Sequence, residues 1–293
     1  MPTLSLGIMA YNEEANIGSL LQRVSSQKFS HGELLEIIVV ASGCTDRTEN
    51  IVQDHMRRDK RIRLLRQSIR EGKASAINFF LSAAGGDILI LESGDTIPDE
   101  GSLDKLIAPF SDSGIGMTGA HPVPVNSPDT FIGFVVHLMW RLHHKIALLS
   151  PKMGELVAFR NIVLKIPSQT AVDEASIEAI VRGEGYKLCY VQDAIVRNKG
   201  PQNIRDFIKQ RRRIATGHTA LSKQEKYKVS TSNPRTIANV LLEDHAWSLR
   251  DTAWTLGAIG LELISRLLGY YDFYFRKKIP YIWDIAYSTK RLD

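Results

Sequence analysis

The sequence predicts an α/β fold with a mostly parallel sheet and helices on both of its faces. Short apolar runs alternate with helical stretches along the first hundred residues, which is the pattern of βαβ units and of a parallel sheet. One run, 88–91, contains no polar residue, so we expect a central strand that is buried on both faces. The chain has 293 residues, of which 44% are apolar and 24% charged, as in ordinary globular proteins.

The predicted elements follow a regular order along the chain. Three strand–helix units come first, with their strands at 4–10, 36–40 and 63–65. After the central strand we expect a strand at 119–126, a helix at 131–149, a strand at 190–196 and a helix from about Gln202. We divide the chain into a catalytic domain at 1–222, a polar loop at 223–235 and a C-terminal helical module at 236–293.

Asp95 follows the central strand at the point where open α/β sheets bind their ligands. It is therefore a candidate for holding a metal ion or a phosphate. The alternative is that Asp95 only stabilises a turn, because Thr96-Ile97-Pro98 follows it. Two other nucleotide-binding patterns are excluded. The first strand is not followed by the glycines of a dinucleotide site, and Gly72-Lys73 lacks the rest of a P-loop.

Positive charge is concentrated at the C-terminal end. Residues 199–293 contain 17 Lys and Arg against 9 Asp and Glu, whereas the whole chain has a net charge of +5. This favours phosphates or an anionic membrane as partners. Nucleic acid is disfavoured because no zinc-finger spacing, aromatic RNA-binding signature or basic heptad region is present. The two cysteines, and the absence of a secretory signal, predict a cytoplasmic location for the bulk of the chain.

Four motifs, in order and in register, resemble the inverting GT-A glycosyltransferases of family 2. They are YNEE at 11–14, a DGSTDGT-like turn at 42–48, GKxxAxN at 72–78 and the GD…DxD strand end at 86–95. The resemblance implies a GT-A fold and Mn²⁺ or Mg²⁺ bound through Asp95. It implies that the donor is bound by Ala10, Tyr11, Asn12, Glu13, Ser42, Lys73, Asn78, Ser93, Gly94 and Asp95.

The resemblance extends to about residue 218 and implies further roles. Segment 153–161 is similar to the family's sugar pocket, so Glu155 and Arg160 are expected to contact the sugar, with a surface ion pair as the alternative. Asp173 and Glu174 resemble the family's base motif with the two acids reversed. Spacing favours Glu174 and residue type leaves Asp173 open, while a helix N-terminus would also favour both acids.

The segment 210–218 is similar to the family's QxxRW motif, with Ile214 in place of the Trp. It implies that Gln210 and Arg213 bind the donor, and His218 is a candidate second metal ligand. In the helix at 131–149, His143 and His144 belong to an aromatic and cationic stretch. That stretch could receive the acceptor's lipid phosphate or simply pack on the sheet.

These features predict a metal-dependent inverting transfer of a hexose to a lipid-linked glycan acceptor at the cytoplasmic face of the cell membrane. Ala41 replaces the Asp that usually contacts the donor base, so GDP-mannose is preferred over a UDP-hexose. One alternative is a synthase that glycosylates polyprenyl phosphate, whose nucleophile needs no protein base. Another is an inactive nucleotide-binding membrane scaffold, which the replacement of the first DxD acid by Ser93 would allow.

The C-terminal module is expected to lie on a membrane rather than to span it. Ten uncharged residues separate Asp251 from Glu262, and a longer segment would have to include Arg266 and Asp272. Glu262 and Arg266 are four residues apart and can pair on one helical face. An aromatic helix that packs against the catalytic domain is the alternative. The residues expected near lipid headgroups are Trp247, Trp254, Tyr270, Tyr271, Tyr274, Arg276, Lys277 and Lys278.

Overall fold

The fold is built on a single sheet of eight strands within the part of the chain that a computed structural model describes, residues 1–244, 248–277 and 279–282. The strands are β1 Thr3–Ala10, β2 Glu33–Ser42, β3 Ile62–Gln67, β4 Ile88–Ser93, β5 Thr96–Pro98, β6 Ile115–Pro124, β7 Val157–Arg160 and β8 Lys187–Asn198. Their spatial order is β3-β2-β1-β4-β7-β6-β8-β5. Four neighbouring pairs are parallel and three, which involve β7 and β5, are antiparallel. The sheet is therefore mixed.

The first four strands of this order end along one edge of the sheet. In the parallel pairing of β1 with β4, Met9 lies opposite Ser93, and in that with β2, Ala10 lies opposite Ala41. The polar turns after these strands consequently meet, and Asp95 is in one of them. The antiparallel β7 enters between β4 and β6 and was not predicted, because it has only four residues.

Helices cover both faces of the sheet. They are α1 Ile17–Ser25, α2 Thr48–Arg58, α3 Lys73–Ala83, α4 Ser102–Ile107, α5 Phe131–Leu149, α6 Asp173–Gly183, α7 Ile204–Gln224, α8 Pro234–Asp244 and α9 Leu249–Tyr271. Ile88 and Ile90 of β4 belong to an apolar core that includes residues of α1, α2 and α4. Leu89 and Leu91 belong to a second core, which includes residues of α3 and α6. The prediction that this strand is buried on both faces is confirmed.

The C-terminal helices pack onto the rest of the protein. α9 lies along α7 and also contacts α5. Arg211 of α7 donates two hydrogen bonds of 2.7 Å to Glu262, and Arg212 pairs with Asp272. The predicted pairing of Glu262 with Arg266 is confirmed at 2.7 Å. The predicted polar loop is bounded by α7 and α8, and a short 3₁₀ turn lies between them.

Within the described ranges, none of the helices combines the length and the apolar character needed to cross a membrane. The predictions made for Trp247, for Lys278 and for the chain after Ile282 fall outside the described residues.

Candidate active site

A cleft of about 680 Å³ opens where β1, β2 and β4 end. It brings together residues that are far apart in the sequence, including many of those that the motifs predicted. The predicted residues that line it are Ala10, Tyr11, Glu13, Ser42, Lys73, Ser93, Asp95, Glu155, Gln210 and Arg213.

Asp95 lies in a tight turn between β4 and β5 and is half-buried in the cleft. The Thr96 hydroxyl holds this turn by donating to the Ser93 carbonyl at 2.9 Å and to the Glu92 carboxylate. The Gly94 N–H donates to the Met9 carbonyl at 3.1 Å. A Cβ at Gly94 would lie 2.8 Å from the Cγ of Glu13, so glycine lets the turn approach β1 closely. Gly94 thus shapes the site without lining it.

Two further carboxyl groups lie near Asp95. Burial raises the pKa of Glu155 to about 7, and that of Glu92 to about 8. The negative charge of Asp95 contributes to both of these increases. A cation would relieve this repulsion, so the electrostatics of the turn suit a metal ion.

The ligands for such an ion would come from both protein and substrate. Among the described residues, no three His, Cys, Asp or Glu side chains form a metal-binding group. Mg²⁺ and similar ions are commonly held by one or two carboxylates together with substrate phosphates and water. Asp95 fits that arrangement, with the phosphates of a nucleotide as the remaining ligands.

Lys73 connects the cleft to the two predicted catalytic acids at the start of α6. Its Nζ lies 2.8 Å from Glu174 Oε1 and 4.0 Å from Asp173 Oδ2. Burial opposes ionisation of both acids, but at Glu174 the charge and the hydrogen bond of Lys73, together with smaller favourable interactions, outweigh burial and lower the pKa of that carboxyl. At Asp173 burial prevails and the pKa is raised. Lys73 is among the residues that line the cleft, whereas the two acids are not.

The wall of the cleft is strongly cationic. Its lining includes five acidic residues and eight basic ones, namely Arg70, Lys73, Lys199, Lys209, Arg211, Arg212, Arg213 and Arg276. The guanidinium of Arg70 lies 4.1 Å from the centre of the Tyr11 ring. The sequence predicted Lys73 and Arg213 as donor ligands. For the other basic residues from Lys199 onward, it indicated only that the C-terminal third is rich in positive charge. Nothing in the sequence indicated a role for Arg70 in the cleft, except its position just before Gly72-Lys73.

Two other walls of the cleft come from segments that the motifs do not cover. One is the face of α5 with Val136, Met139 and Trp140. The other follows α9 and contains Asp272, Arg276, Pro280 and Ile282. A Cβ at Gly72 would lie 2.8 Å from the carbonyl oxygen of Tyr281, so the C-terminal segment crosses directly over the GK motif. Because these contacts span about 200 residues of sequence, no local pattern predicts them.

Asn12 and Asn78, both predicted to bind the donor, instead hold backbone loops. Asn12 accepts a hydrogen bond of 2.8 Å from the Thr45 N–H and donates one of 3.1 Å to the Thr45 hydroxyl. Asn78 donates to the carbonyl of Ile166 at 3.0 Å and accepts from its N–H at 2.8 Å. Both amides are engaged in fixing the loops around the cleft rather than lining it.

Arg160 lies at the opposite end of the sheet from the cleft. Because β7 is antiparallel to β4, Arg160 pairs with Ile88 at the beginning of that strand. Its guanidinium donates to the carbonyls of Phe110, Asp112 and Ile115. The predicted contact with the sugar is corrected, since this side chain supports the far edge of the sheet.

The predicted histidines also lie away from the cleft lining. His144 Nδ1 is 2.9 Å from the Tyr190 hydroxyl, and the pKa of His143 is lowered to about 3 by burial. Burial likewise lowers the pKa of His218 to about 3, and the charges of Lys152 and Arg211 act in the same direction. His218 is not among the residues that line the cleft with Asp95.

Comparison with known proteins gives the fold a family context. Residues 5–179 match the family model described as Glycosyl transferase family 2. The chain is 27% identical to glycosyltransferase AglE of Haloferax volcanii over 121 residues, which are 41% of this chain and 40% of that protein. It is 23% identical to the beta-monoglucosyldiacylglycerol synthase of a Nostoc species over 133 residues, covering 45% and 28% respectively. These matches span two fifths or less of the relatives' own length.

Solved structures show the same fold. The mannosyltransferase PcManGT from Pyrobaculum calidifontis, in complex with GDP-Man and Mn²⁺, superposes with a TM-score of 0.65 at 20% identity, covering 94% of this chain and 88% of that one. Glucosyl-3-phosphoglycerate synthase from Mycobacterium tuberculosis, in complex with Mn²⁺ and UDP, gives 0.52 at 19% identity over 76% and 80%. The fold is therefore GT-A-like. Since the family model covers more than half of the sequence, the chain belongs to glycosyl transferase family 2.

Proposed function

We propose that the protein transfers a hexose from a nucleoside diphosphate sugar to an acceptor, with inversion at the anomeric carbon. The observation that carries this proposal is the meeting, at one edge of the sheet, of Asp95, a cationic wall and the Lys73–Glu174–Asp173 group. Guanidinium and ammonium groups bind diphosphates through charge-assisted hydrogen bonds. Membership in glycosyl transferase family 2 supports the same reaction class.

The proposed cofactor is Mn²⁺ or Mg²⁺, held by Asp95 and the donor phosphates. Such an ion neutralises charge on the departing diphosphate. We favour GDP-mannose as the donor because Ala41 occupies the position of the usual base-contacting Asp, and PcManGT was solved with GDP-Man and Mn²⁺. A UDP-hexose is the alternative, since the mycobacterial synthase was solved with UDP.

The proposed acceptor is a lipid-linked glycan at the cytoplasmic face of the cell membrane. Asp173 or Glu174 would take the proton from its hydroxyl, a role that contributes roughly 10²–10⁴ in rate. The basic C-terminal third supports an acceptor that lies on an anionic surface.

One observation favours a second candidate, the glycosylation of polyprenyl phosphate itself. Glu174 is engaged by Lys73, and neither acid lines the cleft. A phosphate nucleophile is already ionised at neutral pH and requires no base. The basic residues of the wall, which outnumber the acidic ones, would suit two phosphorylated substrates.

The test is a thermal-shift screen of the full chain against GDP-mannose, UDP-glucose, GDP and UDP, each with and without Mn²⁺. A ligand at 100 times its dissociation constant stabilises by about 2.7 kcal/mol, which raises Tm by several degrees. We expect GDP-mannose with Mn²⁺ to give the largest rise. NMR of the product should show the anomeric configuration opposite to that of the donor.

The matched variants are Asp95→Asn in the cleft and Asp54→Asn on the surface of α2, where the Asp54 side chain is 61% exposed. Asp95→Asn should abolish the Mn²⁺-dependent part of the shift, whereas Asp54→Asn should keep it. An unchanged Mn²⁺ dependence in Asp95→Asn would contradict the metal site. If no nucleotide raises the Tm of the native chain, the proposed donor is wrong.

A further inference from the structure

The exposed face of α9 carries no charged side chain. Its outward residues include Leu256, Ile259, Leu263, Ile264, Leu267 and Tyr270, which are between 39% and 66% exposed. At 3.6 residues per turn they occupy roughly 140° of the helix circumference. The sequence puts no Asp, Glu, Lys or Arg within that arc. A surface helix of a soluble domain normally shows the reverse pattern, with its apolar stripe buried and its charges outside.

Two acidic residues, one in α9 and one just after it, face the protein instead. Glu262 is held by Arg211 and Arg266, each with hydrogen bonds of 2.7 Å. Asp272 is buried and paired with Arg212. These two acids are neutralised from inside, and Asp251 in the first turn is half-buried and lies outside the uncharged arc, so most of the charged groups that flank the exposed face are positive.

That positive charge flanks the face at both ends. Arg250 is exposed at the beginning of α9, and Lys277 is exposed just beyond its end. The side chain of Arg276, next to Lys277, is 60% exposed, although it also lies 3.8 Å from Asp272 and borders the cleft. The result is a strip of apolar side chains, about 32 Å long from Leu249 to Tyr270 at 1.5 Å per residue, with a cationic group at each end.

We propose that this uncharged face of α9 docks on an anionic lipid surface. Helices that lie in a membrane interface insert an apolar face and place cations against lipid headgroups. The tyrosines near the end of α9 suit the same depth, because aromatic side chains with a polar group favour the membrane–water interface. Each of these features is present on α9, and the charge is complementary to that of an anionic bilayer.

A second copy of the chain is the competing occupant, and the charges disfavour it. In a twofold-symmetric pair of α9 helices packed antiparallel, Arg250 of one copy would approach Arg276 and Lys277 of the other. Like charges brought together across an interface oppose association. Anionic lipid meets both ends of the helix with the favourable sign.

Docking in this way would bring the cleft to the membrane. The chain continues from α9 into the segment that contributes Asp272, Arg276, Pro280 and Ile282 to the cleft lining. A substrate carried by the bilayer would therefore reach the cleft from the side of α9. This link to a lipid-borne acceptor rests on the proposed function, whereas the docking itself does not.

The experiment is vesicle flotation with the full chain at 0.1 M NaCl, using phosphatidylcholine with one quarter phosphatidylglycerol and, separately, phosphatidylcholine alone. The test variant is Leu263→Glu/Leu267→Glu, at positions 56% and 66% exposed. The matched control is Leu35→Glu/Leu164→Glu, at exposed leucines outside α9, and it carries the same change in net charge. Thermal unfolding of each variant checks that the fold is retained.

We expect the native chain to bind the anionic vesicles and to bind phosphatidylcholine roughly tenfold or more weakly. The partition coefficient of the α9 variant on anionic vesicles should fall roughly 100-fold, because two apolar side chains that would enter the bilayer become charged. The control should stay within about threefold of the native chain.

Three results would overturn the proposal: no flotation of the native chain, equal flotation of the α9 variant and its control, or a native dimer that the α9 variant converts to a monomer. The last would assign the face to a second copy. The two proposals fail independently. If no donor raises the Tm of the native chain, the proposed function is wrong, but the flotation results still decide whether α9 docks on lipid.

Discussion

Asp173 and Glu174 are adjacent in the sequence but have different surroundings. Glu174 forms a close ion pair with Lys73, which lowers its pKa, while burial raises the pKa of Asp173. Oδ1 of Asp173 has no hydrogen-bond partner among the described residues. A general base works best when its pKa is near the working pH. The environment therefore favours Asp173 as the base, whereas the spacing of the motif favoured Glu174.

We expect Asp173→Asn to lower kcat by roughly 10²–10⁴ with little change in the KM for the donor. In the native enzyme kcat/KM should fall as the pH drops through the raised pKa of Asp173, because the base must be ionised. Glu174→Gln, which removes the partner of Lys73, should act mainly on KM. If kcat is instead lost only in Glu174→Gln, the motif spacing identifies the base. Full activity in both variants would favour the phosphate acceptor.

Glu92 gives the fold a pH dependence that can be measured without substrate. It is 1% exposed, and burial raises its pKa to about 8 from an ordinary 4.5. Between these two values the folded protein keeps a proton that the unfolded chain releases. The free energy of unfolding therefore decreases as the pH rises through this window, by up to about 1.4 kcal/mol per pH unit from this group.

Glu92→Gln removes this proton linkage. The free energy of unfolding of the variant, minus that of the native chain, should increase by more than about 1 kcal/mol when the pH is raised from 5 to 8. Urea unfolding at both pH values measures the difference. Glu33→Gln at an exposed site controls for the general loss of a carboxylate. A gap between Glu92→Gln and the native chain that does not change with pH would contradict the assignment.

At the scale of elements, α9 closely approaches α7 at Gly269. A Cβ there would lie 2.7 Å from the Ala215 Cβ and 2.8 Å from the Arg212 carbonyl oxygen. The Thr216 hydroxyl also donates to the Gly269 carbonyl at 3.2 Å. Glycine is thus what allows the two backbones to touch and the ion pairs between them to form.

Two glycines of α9 offer a matched comparison of this contact. Gly269→Ala should lower the free energy of unfolding by about 1–3 kcal/mol, because a backbone carbonyl blocks the new methyl group. Gly260→Ala meets nothing within 4 Å and should raise stability by about 0.5–1 kcal/mol through helix propensity alone. Thermal unfolding gives both signs. Equal stabilisation by the two substitutions would mean that α7 and α9 are not in tight contact.

The packing of α9 on α7 also explains why charged residues interrupt the apolar sequence of this region. Glu262 and Asp272 look like exposed breaks in an apolar stretch when the sequence is considered alone. In the fold each faces an arginine of α7. One face of α9 thus packs on the catalytic domain, and the opposite face is the one for which we propose the contact with lipid.

At the scale of the whole molecule, the cleft is assembled from residues as distant as Met9 and Ile282. The loops at the strand ends supply Asp95 and Glu13, whereas α7 and the segment after α9 supply five of the eight basic residues. The basic C-terminal third is thus part of the candidate active site as well as of the proposed lipid-binding region.

The sequence by itself determined the strand–helix alternation, the buried central strand and the strand-end position of Asp95. These follow from local patterns, because apolar periodicity reports which faces are buried and parallel strands bring their ends together. The motifs likewise identified ten of the residues that line the cleft.

Tertiary structure decided what depends on long-range pairing. Arg160 lies at the far edge only because the four-residue β7 enters the sheet antiparallel, and no local pattern encodes that direction. Asn78 and His218 do not line the cleft, because a motif fixes a residue's position along the chain but not the partner its side chain meets. The crossing of Tyr281 over Gly72 likewise depends on the docking of α9 against α7, a contact between segments that no sequence period connects.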